Sequence, residues 1–148
     1  MAELDALMKL EEIIGYMDNK VSYRNGVEYE YTLSPTPEET PGANHKKRCN
    51  ELPSVKKRHI GGPILEELFD CYADLKLANT LSYEGNKRDA CIEAEKARRS
   101  FIRAKAKIYL FSQDNRSAIN REYLFGLENE FLKMLGAWTN WLSKYGRR

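Results

Sequence analysis

No apolar run in these 148 residues approaches the roughly 20 needed to cross a bilayer, so the sequence offers no membrane span. The first residues, MAELDALMKLEEIIGYM, carry acids where a secretory leader carries bases, and a cytoplasmic protein is expected. Cysteine is scarce and scattered. Cys49, Cys71 and Cys91 form no C-x-x-C pair, which points away from zinc knuckles and disulfide frameworks and towards free thiols. Histidine is scarcer still. His45 and His59 both lie in or beside a basic loop, and no arginine precedes either at the four-to-six-residue spacing of many small helical ribonucleases. H-E-x-x-H, the phosphate-binding lysine loop and G-x-G-x-x-G are all missing, as is a Glu-x-x-His pair for a carboxylate-bridged metal. The expectation is a chain that is not an enzyme and holds no metal or cofactor.

Charge, by contrast, is plentiful and unevenly placed. The formal net charge is only +2. Residues 1–40 hold three bases and nine acids, residues 41–107 fifteen bases and nine acids, and residues 108–148 six bases and four acids. An acidic front and a basic middle suit a partner of negative charge.

Apolar periodicity organises the rest. Leu7, Leu10, Ile14, Met17 and Val21 recur at spacings of three and four, predicting an amphipathic helix over 3–21. Residues 21–33 alternate Val21, Tyr23, Val27, Tyr29, Tyr31 and Leu33 with polar residues around Asn25-Gly26, the signature of a type I′ β-hairpin. Pro35, Pro37, Pro41 and Pro53 then mark a long loop carrying two basic triplets, Lys46-Lys47-Arg48 and Lys56-Lys57-Arg58. A second helix is expected from Gly62-Pro63, with proline in the first turn where its missing N–H costs nothing. Its stripe is Ile64, Leu68, Cys71, Leu75 and Ala78, and it ends near Ser82.

The third helix, over 86–111, keeps a strict heptad of Ala90, Ala94, Ala97, Phe101, Ala104, Ile108 and Phe111, whose alanines imply a close neighbour. The fourth, over 117–144, is capped by Ser117 or Asp114. It buries Leu124, Leu127, Phe131, Leu135, Trp138 and Leu142, widened by Tyr123, Met134 and Trp141. Gly136 in its middle costs about 1 kcal/mol against alanine, which predicts a tight helix crossing there. The fold class expected is all-α: one antiparallel four-helix-bundle domain over 1–148, with a β-hairpin and loop insertion at about 22–57. Apolar positions in excess of one seam on the last helix predict a homo-oligomer, with Gly136, Trp138 and Trp141 at its interface.

Residues 96–107 contain six bases and no acid. With Ala94, Phe101 and Ile108 at heptad position a, Lys96 and Arg103 fall at c and Arg99 at f, all outward. Arg98 and Lys105 fall at e and Lys107 at g. Together with Lys46, Lys47, Arg48, Lys56, Lys57 and Arg58 they form the candidate surface for RNA or DNA, because lysine and arginine neutralise phosphates whatever the base sequence. An acidic protein surface is the alternative partner for the same strip.

From residue 52 onward a family resemblance emerges. Leu52-Pro53-x-x-Lys56 leads to Ile60-Gly61 and a helix ending Leu77-Ala78-Asn79. Then come Arg99, Phe101, Ile102, Arg103 and Ala104, then Ile119 and Tyr123, and last Met134-Leu135-Gly136-Ala137-Trp138. This order resembles the four-helix-bundle family that includes the accessory variability determinant of diversity-generating retroelements and the proteins of 23S ribosomal RNA intervening sequences. The resemblance implies a pentameric, nucleic-acid-binding subunit without chemistry of its own, joined to a reverse transcriptase and its template RNA. The intervening-sequence relatives imply a bundle with an unassigned interaction role. A small helical RNA-acting enzyme or toxin using His59 is the reading from another class.

Overall fold

The computed structural model describes residues 4–21, 57–114 and 117–146, and among these every regular element is helical. The four helices are α1 (Asp5–Val21), α2 (Gly62–Tyr83), α3 (Lys87–Ser112) and α4 (Arg121–Gly146). A π-helical turn, Lys57–Gly61, leads into α2. The β-hairpin expected over 21–33 lies outside the described residues, apart from Val21, which closes α1 as a buried helical residue.

Each helix forms where its apolar period predicts. The α2 and α3 stripes are buried residue for residue as their spacing requires. On α1 the inward row is Leu7, Leu10, Ile13, Met17 and Val21, while Ile14, expected inside, is half-buried beside it. On α4 Leu124, Leu127, Phe131, Leu135 and Leu142 are buried, and Trp138 packs half-buried against them. Fully burying one such side chain is worth about 1.5–3 kcal/mol, so this shared core holds the bundle together.

The helix ends explain the connections. Gly85 takes a φ of 85°, which lets α2 turn straight into α3. Asn86 caps α3 by accepting a hydrogen bond from the Asp89 N–H at 3.3 Å. The cap of α4 is neither Ser117 nor Asp114. Ala118 sits in the left-handed region at φ 57°, which breaks the helix, and α4 begins three residues later. Asn120 supplies the cap, its Oδ1 accepting from the Tyr123 N–H at 3.1 Å.

Cross-helix contacts fix an antiparallel order. Gly61, before α2, abuts Val21 at the end of α1. Lys9 of α1 pairs with Glu130 of α4 at 2.9 Å, and the Tyr16 hydroxyl, late in α1, accepts from the Asn120 N–H at 2.8 Å at the start of α4. The Tyr72 hydroxyl of α2 donates to Glu11 of α1 at 3.0 Å. The α2–α3 contact is the most extensive, because Ala90, Ala94, Ala97 and Ala104 let the two backbones approach. Phe101 and Phe131, with ring centroids 4.4 Å apart, join α3 to α4 at the centre.

Candidate nucleic-acid interface

The six bases of α3 divide into two flanks rather than one strip. Lys96, Arg103 and Lys107 lie towards α2. Lys96 pairs with Glu93 one turn back at 3.2 Å. Arg103 and Lys107 both reach Glu67 of α2, at 3.1 and 3.0 Å, and Arg103 also donates to the Ser100 hydroxyl. Burial alone would raise the Glu67 carboxyl, but the hydrogen bonds from Lys107 and Arg103 win and hold it below the usual carboxylate range. The two bases thus act as a seam across α2 and α3 as well as surface charge.

Arg98 and Lys105 lie on the other side, towards α4. Arg98 pairs with Glu95 at 3.6 Å. The Lys105 ammonium stands 6.0 Å from the centre of the Phe125 ring on α4. Arg99 alone projects from the middle of the outward face, exposed and in no ion pair among the described residues. The six bases therefore meet three paired carboxylates, Glu67, Glu93 and Glu95, and keep a positive excess.

Between the flanks runs a ridge that the charge pattern hid. Ile92, Ile102 and Leu110 are 51, 44 and 71% exposed, with Tyr109 beside them. Ile92 sits at heptad position f, Ile102 and Tyr109 at b and Leu110 at c, and apolar residues left over outside a and d were the available signal.

Of the loop bases, Lys46, Lys47, Arg48 and Lys56 lie outside the described residues. Lys57 and Arg58 open the π-helical turn at the head of α2; their side chains are likewise outside the description. His59, exposed on that turn, is the described histidine, and His45 is not described. Among the described residues no three His, Cys, Asp or Glu side chains gather as metal ligands. Cys71 is buried and its thiol is pushed up to about 12, first by burial and then by Asp74 and Glu67, so it is a packing residue rather than a nucleophile. None of the helices among the described residues is long and apolar enough to cross a membrane.

The residues expected at an oligomer interface are spread along α4. Trp138 is half-buried against the core, and Trp141 is exposed with the Lys87 ammonium 5.0 Å above its ring. Gly136 does not mark a tight crossing, since a Cβ there would meet nothing within 4 Å. The glycine that packing does require is Gly61, where a Cβ would come within 2.5 Å of the Val21 Cβ.

A groove of about 420 Å³ opens between the C-terminal turns of α3 and the start of α4. Ile108, Tyr109, Ile119, Leu124 and Phe125 line it, and Glu128 lies on its floor only 6% exposed. The sequence signal for it was a carboxylate at 128, between Leu124 and Phe131 on an otherwise apolar stripe.

Comparison of the chain with protein-family models, with curated proteins and with solved structures finds no match in any of the three.

Proposed function

We propose that the chain is a non-enzymatic nucleic-acid-binding subunit that works beside a reverse transcriptase and its template RNA. The observation that carries the binding part is the outward face of α3. Arg99 stands exposed, flanked by exposed Lys96, Arg98 and Arg103, with more bases than paired acids. Such a surface neutralises phosphates without reading bases. The enzyme partner and a pentameric assembly rest on the sequence resemblance alone. In a ring every subunit repeats the basic face, and a weak site becomes multivalent. The ion pairs with Glu67 and Glu93 moderate the affinity, so each face contributes few phosphate contacts and assembly supplies the rest.

Tagged protein purified from its own cells tests the partnership. The expected companions are a reverse transcriptase and one structured RNA. Recovery with bulk ribosomal RNA only would favour the intervening-sequence reading, and recovery with neither would set both aside.

A further inference from the structure

The α3–α4 groove shares Lys105 with the α4-side flank of that face, but what it binds does not depend on the phosphate-binding reading. Its walls are Ile108, Tyr109, Ile119, Leu124 and Phe125, and its volume of about 420 Å³ falls among small-ligand pockets. From Lys105 to Ser112 it follows α3 for two turns, about 10 Å, which is too short to seat a docked helix.

Glu128 sets its chemistry. Helical spacing from Leu124 and Phe131 turns this residue inward, where packing asks for an apolar side chain. It is 6% exposed, and no hydrogen bond or ion pair holds it among the described residues. Burying an unpartnered carboxylate is costly. Glu67, the other inward carboxylate, has two cationic partners at about 3 Å. Burial pushes the Glu128 carboxyl above its usual range, against the pull of Lys105. The Lys105 ammonium lies over Phe125 instead of closing on Glu128. Arg121 also lines the groove and donates to the Ser112 carbonyl at 2.7 Å, and Glu122 lines it as well.

We infer that the groove binds a small organic cation, with an apolar body against Ile108, Leu124 and Phe125 and an ammonium group on Glu128. The ammonium completes the ion pair that Glu128 lacks among the described residues. An anion would face the Glu128 carboxylate, and a neutral guest would leave it unpaired.

Nuclear magnetic resonance titration of the whole chain tests this with 2-phenylethylammonium and its neutral isostere 2-phenylethanol. The amine is expected to shift the Tyr109, Leu124 and Phe125 amides saturably, binding at least ~10-fold tighter than the alcohol, a factor typical of one good ionic contact. Glu128→Gln should bring the amine down to the alcohol's affinity. Phe125→Ala, at a position 57% exposed and outside the core, should weaken both and keeps the test alive if the Glu128 variant does not fold. Equal affinity of amine and alcohol for the wild type, unchanged amine binding by Glu128→Gln, or no saturable shift up to ~10 mM would overturn the inference.

Discussion

Glu67 on α2 and Glu128 on α4 are partly or fully buried carboxylates, each beside α3, and their surroundings drive them in opposite directions. Glu67 is held below its usual value of 4.5, so its ionised form stabilises the fold above that value. That stability is lost as the pH falls through the depressed value. Glu67→Gln should therefore cost about 1 kcal/mol at pH 7, given that Arg103 and Lys107 are partly solvated, and progressively less as the pH is lowered below 4.5, as read by urea unfolding. Glu128 is raised by burial, so its ionised form opposes folding. Its contribution is best below pH 4.5 and declines as the pH rises through the raised value. Glu128→Gln should raise Tm at pH 7 and leave it unchanged near pH 4. The two glycines divide as well. Gly61→Ala should destabilise by about 1–3 kcal/mol through overpacking against Val21. Gly136→Ala should gain up to about 1 kcal/mol, because the space is open and alanine is the better helix former.

The helices themselves were legible because burial repeats at 3.6 residues and α2 and α3 obey that repeat without exception. The alanine row of α3 also announced its close partner, now seen to be α2. Phe131→Ala should cost about 3–5 kcal/mol by emptying the space against Phe101, a loss of roughly 10 °C or more in Tm for a bundle of this size. Other features of these elements were not legible. Heptad letters give the angle of Lys96, Arg103 and Lys107 from the seam, but not that Glu67, from another helix, would meet two of them. The α4 cap was misplaced because Ser117 and Asp114 are as good cap formers as Asn120. Only the backbone of Ala118 decides among them. Gly136 looked like a crossing point since a mid-helix glycine carries no label saying whether anything approaches it. The groove went unread because Ile108 and Leu124 looked like ordinary core positions, while Tyr109, Phe125 and Ile119, which complete its walls, lie outside both stripes.

At the scale of the whole molecule, the core accounts for the fold and the surface must account for the function. The outward side of α3 combines an exposed Arg99, two flanks of bases and a ridge of Ile92, Ile102 and Leu110. Phosphate contact and apolar contact can thus occur on one face, as a subunit bridging nucleic acid and protein requires. The central claim is that this face binds RNA, and filter binding at several salt concentrations tests it most directly. Wild-type protein should bind RNAs of unrelated sequence, with log affinity falling against log salt by about 0.7–0.9 per phosphate neutralised. Arg98→Glu with Arg99→Glu, both exposed and away from the Glu67 seam, should lower affinity at least ~10-fold with the helical circular-dichroism spectrum unchanged. A wild type that binds RNA no better than this double variant would contradict the account.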